Sequence, residues 1–203
     1  DISARREAEE TVRRLAAVVR HSREMVILAE MDGRMIFLNE AGSRMLGIDQ
    51  DEVGTTTIRQ VFPGRWKDLL EREVLPATAK TGGTWEGDLQ YVNLETGSLT
   101  DAHALFFTID DPGAGDRRYL VNISLDVTRH KLAEEKFTKV FMLAPDGIAI
   151  SRLHDGLIID TNLGFEDISG LTRSEAVGKT SVEVNFWADP SDRLFLVEEL
   201  KAG

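Results

Sequence analysis

Cysteine is absent from all 203 residues, which excludes disulfides, thiolate metal sites, cysteine nucleophiles and any flavin photochemistry that proceeds through a cysteinyl adduct. The four histidines, at 21, 103, 130 and 154, have no ligand spacing, so no metal site is expected. Basic residues are in deficit: 24 Lys and Arg against 35 Asp and Glu leave a net charge of −11, and no Lys/Arg stripe interrupts it. A nucleic-acid partner is therefore not expected, because phosphate neutralisation has nothing to work with. Long apolar runs are missing as well. Met25-Val26-Ile27-Leu28-Ala29 is among the longest, far below the ~20 residues that cross a bilayer, and no signal-peptide pattern opens the sequence. The expectation is a cytoplasmic fragment without a membrane segment.

Catalytic constellations are missing too. His21-Ser22-Arg23-Glu24 lacks the acidic residue directly after the histidine and the closing proline of a phosphoacceptor motif, and no nucleotide-binding glycine loop follows. Gly82-Gly83 precedes a strand pattern rather than a helix, which argues against a phosphate cradle. Asp110-Asp111 reads as a turn and Glu134-Glu135 as a solvated helix face. A non-enzymatic chain is expected.

What is present is a repeat. Asp32-Gly33, Asn39 and Gly47 recur as Asp155-Gly156, Asn162 and Gly170, each displaced by 123 residues. With one inserted residue, Asp51-Glu52-Val53-Gly54 is answered by Ser174-Glu175-Ala176-Val177-Gly178. A displacement of this size is that of a small domain, so the pattern indicates tandem domains rather than a solenoid. A further trace, Asp1-Ile2-Ser3 with Ala8-Glu9-Glu10, matches Asp126-Val127-Thr128 with Ala133-Glu134-Glu135, so the chain reads as beginning at the tail of another unit. From Pro145 onward the second copy reads as short of its last strands, leaving an open sheet edge.

Ala8, Val12, Leu15 and Val19 step by 4, 3 and 4 through a segment rich in Arg and Glu, a heptad-like seam on an exposed helix. Ala133, Phe137, Val140 and Ala144 repeat it. Two heptads are marginal for independent pairing, so either a dimeric coiled coil or packing on the chain's own domain satisfies each seam. Met25 to Met31, the Asp32-Gly33 turn and Arg34 to Leu38 make a β-hairpin. Asn39 then caps a short helix that Gly47 ends. The second copy repeats this with strands at Gly147 to Leu153 and Leu157 to Asp160 and a helix from Asn162. A helix-like segment spans Arg65 to Lys80 and breaks or kinks near Leu75, because Pro76 falls inside the pattern. Strands at Trp85 to Leu94, Leu99 to Ile109 and Arg118 to Asp126 follow, with turns at Glu95-Thr96-Gly97 and Asp111-Pro112-Gly113. The order specifies an antiparallel α+β domain with its helices over one sheet face.

The Asp32-Gly33 hairpin into Asn39, Gly47 with Glu52-Val53-Gly54, Trp85-Glu86-Gly87, and the closing Tyr119 to Arg129 segment with Asp126-Val127-Thr128 together resemble PAS sensory domains. The resemblance implies a five-stranded antiparallel sheet with flanking helices around a pocket, joined by amphipathic linker helices. It divides the chain into a linker helix at 1–22, a complete PAS domain at 23–128, a second linker at 129–144 and the N-terminal part of another PAS domain at 145–203. It further implies a signal-transduction module of a tandem, two-component type. Such a module binds a small ligand or partner and relays a conformational change along a linker-helix homodimer to an output outside the fragment, a histidine kinase in the first instance. The alternative is a ligand-free domain for dimerisation or protein docking.

By comparison with flavin-binding relatives, Ala102, Ala104 and Phe106 on one strand and Leu120, Asn122 and Ser124 on the next face the pocket, with Trp66 on its helical flank. Two alanines leave room, and Asn122 and Ser124 supply polar anchors; a filled core with those groups satisfied locally fits the same residues. Asp126 and Thr128, at the junction with the outgoing helix, and Phe137 and Val140 on its seam are the candidate relay residues. Haem is disfavoured because Arg65 to Gly83 holds no histidine, and His103, in the opposite alternation phase, is expected on the outer surface. The cofactor is left unnamed.

Overall fold

Asp32 and Gly33 close the first hairpin for a local reason: Gly33 takes φ +92°, which costs glycine little, while the Asp32 carboxylate accepts the Arg34 N–H at 2.9 Å. The flanking strands are β1 (Met25–Glu30) and β2 (Met35–Leu38), and alternate β1 residues Met25, Ile27 and Ala29 are buried. In this computed structural model the described residues are 2–80, 82–111, 113 and 117–202. Asp1 of the leading repeat trace and Pro112 of the third turn fall outside them, as do the side chains of Ile2, Ser3 and Ala8. The chain divides into two compact units, Asp1–His130 and Lys131–Gly203.

In the first unit, α1 (Ile2–Arg20) precedes the hairpin and α2 (Glu40–Leu46) follows it. Two 3-10 turns, Val53–Thr55 and Ile58–Val61, lead to α3 (Arg65–Leu69) and α4 (Leu75–Ala79). The sheet is completed by β3 (Thr84–Val92), β4 (Leu99–Asp110) and β5 (Arg118–Asp126), in the order β2-β1-β5-β4-β3 with every pairing antiparallel. Its inner face and the helices bury one core that includes Ile27, Leu46, Val61, Phe62, Leu70, Leu89 and Phe106. Residues of this kind contribute about 1.5–3 kcal/mol each when fully buried.

The break or kink expected near Leu75 takes the form of a local irregularity of the helix rather than a stop. Leu70–Val74 forms a π-helical turn that joins α3 to α4, with Pro76 in the first turn of α4. Proline has no N–H for the i→i−4 bond, and one widened turn ahead of it keeps the helix continuous past that position.

Helix α5 (Thr128–Leu143) runs past the boundary at His130. The second unit holds the hairpin β6 (Ala149–Ser151) and β7 (Ile158–Thr161), then α6 (Leu163–Ser169), α7 (Arg173–Ala176) and α8 (Pro190–Ala202). A small core of Ile158, Phe165 and Ala176 lies beneath. Gly47 and Gly170, the paired helix stops of the repeat, adopt φ +62° and +72°.

Candidate functional site

The alternation that buries Leu89 and Tyr91 on β3, Ala102, Ala104 and Phe106 on β4, and Leu120, Asn122 and Ser124 on β5 brings all of them to one sheet face. The six sheet residues expected at a pocket are thus together, and their polar members are paired with one another. The Tyr91 hydroxyl lies 2.9 Å from both Asn122 Oδ1 and Ser124 Oγ. The Asn122 amide donates to Ser124 Oγ at 3.0 Å and to the Leu105 carbonyl at 3.3 Å. Burial drives the Tyr91 phenol well above its ordinary value, and the bonds to Ser124 and Asn122 pull it only partly back. Phe62 meets Tyr91 edge-on at 5.2 Å, and Trp85 meets Phe106 at 5.9 Å. Phe62 also lies 6.4 Å from Phe106, so these four rings pack on one another at this face. Tyr91 was not singled out from the sequence, although its phase with Leu89 in a strand pattern marks it.

Trp66 is half-buried against this core. Its indole N–H donates to Gln90 Oε1 at 3.3 Å, and the Arg65 guanidinium lies 4.7 Å from the ring centre. On the outer face His103 bridges two carboxylates, Asp88 at 2.8 Å and Glu86 at 3.0 Å. Those bonds raise its pKa above the ordinary 6.5.

The junction of β5 with α5 is held by a set of short bonds to β4. Val127 N–H donates to the Asp101 carbonyl at 2.9 Å, and Asp101 N–H donates to Thr128 Oγ1 at 3.0 Å. Asp126 Oδ1 accepts the Thr128 N–H at 2.9 Å, satisfying one of the free donors of the helix start. Downstream, Phe137 and Val140 are 63% and 66% exposed, and Phe137 stacks on the buried Phe141.

The repeat asparagines do more than cap. Asn39 Oδ1 accepts from Gly42 and Val26, while its amide donates to the carbonyls of Val19, at the end of α1, and Glu24. Asn162 does the same in the second unit: its oxygen accepts from Phe165 and Ile148, and its amide donates to the carbonyls of Ala144, just past α5, and Asp146. Each linker helix therefore ends on the asparagine of the unit it enters. Sequence spacing identified the caps; the ties to the incoming helices needed the folded chain.

A cavity of about 330 Å³ lies in the second unit, walled by Ile158, Phe165, Phe186, Trp187 and Arg193. Arg193 Nη2 is buried there without a hydrogen-bond partner. Among the described residues no cluster could hold a metal ion, and no helix is long and apolar enough to cross a membrane.

The first unit is thus an α+β domain, an antiparallel sheet with a helical flank and a hydrogen-bonded junction into an outgoing helix. The family model of the PAS domain matches residues 13–76 and 135–201, more than half of the chain, and the protein belongs to the PAS domain family of sensory signalling modules. Its fold is similar to the PAS domain of a protein from Colwellia psychrerythraea, at TM-score 0.53 and 13% identity over 59% of this chain and 98% of that one. It is also similar to the PAS domain of an HTR-like protein from Haloarcula marismortui, at TM-score 0.52 and 21% identity over 62% and 99%. No curated protein matches the sequence.

Proposed function

We propose that this chain is a relay segment of a sensory protein, in which the first PAS unit sets how firmly the start of α5 is held and thereby biases an output domain, a histidine kinase, outside this sequence. The bonds from Asp101 to Val127 and Thr128 carry the reading. They tie the outgoing helix to a central strand, so any shift of β4 against β5 is felt at the helix start, and a tie that forms or releases is a two-state element. The packed interior around Tyr91 supports a first unit whose input is a protein contact rather than a small ligand. The linker seams support a homodimer along which the bias travels. Thr128→Ala tests the reading: the amides of Asp101 and Val127 should exchange with deuterium about fivefold faster, the scale of one ordinary hydrogen bond, and the full-length protein should lose regulation of its output. Unchanged exchange with unchanged output overturns it.

A second reading rests on the cavity in the second unit, where a buried guanidinium nitrogen without a partner among aromatic walls suits a small carboxylate. Thermal shift with a panel of aromatic carboxylates, lost in Arg193→Leu, tests it. The input ligand would then belong to the second unit.

A further inference from the structure

We infer that Gln90 is the coupling residue that joins the helical flank of the first unit to the foot of α5. The inference rests on the reading of the Asp101 and Thr128 contact as the output tie, and it extends that tie upstream by two hydrogen bonds. Trp66 Nε1 on α3 donates to Gln90 Oε1 at 3.3 Å, and Gln90 Nε2 donates to Asp101 Oδ1 at 3.2 Å. From Asp101 the backbone continues to Thr128 Oγ1 at 3.0 Å and, through its carbonyl, to Val127 at 2.9 Å.

The chemistry of the three side chains fixes the direction of this chain. An indole nitrogen is only a donor, and an ionised carboxylate is only an acceptor. A residue bridging them must accept at one end and donate at the other. The amide of Gln90 does both, and its orientation is settled by its neighbours: the oxygen faces Trp66 and the nitrogen faces Asp101. Glutamate at this position would serve Trp66 and repel Asp101; leucine or methionine would serve neither.

Position matters as much as chemistry. β3 is one of the two edge strands of the sheet, and Gln90 lies opposite Asp101 in its register with β4. Trp66 reaches it from the segment that runs straight into the π-turn at Leu70–Val74. Single π-turns mark places where a helix is under local constraint and are frequent at functional sites. A shift of α3 therefore reaches Asp101 along the outside of β3, without passing through the packed interior at Tyr91.

Hydrogen exchange on the purified chain tests this, with Trp66→Phe, Gln90→Leu, Gln90→Glu and the double variant Trp66→Phe/Gln90→Leu. Each single change should speed exchange at the Asp101 and Val127 amides about fivefold, leaving the β1–β5 ladder amide of Asn122, opposite Ile27, protected as a check on folding. Because the two bonds act in series, the double variant should exceed neither single by more than a factor of two. Gln90→Glu should lose at least as much protection as Gln90→Leu, since it keeps the acceptor for Trp66 but sets a second carboxylate against Asp101. Additive effects in the double variant, or wild-type protection in Gln90→Glu, overturn the inference. Thr128→Ala separates it from the reading beneath it. If the Gln90 variants move the two amides while Thr128→Ala leaves the output regulated, the coupling stands and the relay reading falls. If Thr128→Ala deregulates the output and the Gln90 variants leave both amides unmoved, the coupling falls.

Discussion

Tyr91 is the largest side chain sealed inside the first unit, and its hydroxyl meets two other fully buried polar groups, Asn122 and Ser124. Asn122 and Ser124 bond one another as well as the phenol, and the Asn122 amide also reaches the Leu105 carbonyl. Tyr91→Phe keeps the ring packing and removes one shared partner from two buried groups. It should cost about 1–3 kcal/mol by urea denaturation, less than Tyr91→Ala, which also opens a cavity and should cost about 3–5 kcal/mol. Equal loss in the two variants would mean the hydroxyl, not the ring, dominates. His103 makes a different residue-level prediction on the outer face. Its folded pKa is raised by Asp88 and Glu86, so the pairing stabilises fully below the ordinary imidazole value of 6.5 and is lost as pH rises through the higher folded value. The imidazole is 46% exposed and its partners more so, so screening holds the contribution to about 0–1 kcal/mol. His103→Gln should flatten the stability profile across that window, and salt should flatten it in the parent protein; a pH profile unchanged by the substitution would count against the pairing.

At the scale of elements, most of the fold is legible because the local signals agree. The hairpin turn, the asparagine cap, the glycine stop and the alternating strands each specify one conformation, and the duplication states them twice. In the α3–α4 segment Pro76 marks where the helix is irregular, but propensity rules do not say that the irregularity is a π-turn placed ahead of the proline. The candidate site divides in the same way. Alternation brought Ala102 to Ser124 onto one face, but whether that face encloses a space depends on Phe62 and Tyr91, which arrive from elsewhere in the sequence. The bond from Thr128 to Asp101 spans 27 residues and has no local signature. Asn39 shows the cost of reading a residue by one role: its oxygen caps α2, as its spacing announced, while its amide holds the end of α1. Asn39→Asp isolates the second role. The carboxylate still accepts from Gly42 and Val26, but its other oxygen now meets the carbonyls of Val19 and Glu24. The expected loss is about 1–3 kcal/mol, the range for buried groups left without a partner, with α1 amides near Val19 exchanging faster and α2 amides keeping their protection. Loss of protection confined to α2 would show that the cap is all Asn39 provides.

For the whole molecule, an acidic chain with a net charge of −11 leaves its linker seams exposed: Val12, Leu15 and Val19 on α1 are 66%, 61% and 37% accessible. Exposed valines and leucines at heptad spacing are more than solubility tolerates without a reason, and their order is informative. Setting Val12 and Val19 at a and Leu15 at d gives β-branched residues at a with leucine at d, the combination that favours two parallel strands. A parallel dimer brings the same residue of two chains face to face at a and d positions and keeps f positions apart. The absence of cysteine makes this directly measurable, because any introduced thiol is the only one present. Leu15→Cys, at d, should oxidise rapidly to a covalent dimer, whereas Ala17→Cys, at f, should remain largely monomeric under the same mild oxidant, both followed on non-reducing gels. The covalent Leu15→Cys dimer should also keep the mass seen for the uncross-linked parent chain in sedimentation, since the bond only fixes an existing pair. Equal cross-linking at 15 and 17 would indicate random collision, and slower cross-linking at 15 than at 17 would place the seam against the chain's own surface, leaving the relay to run through one chain rather than two.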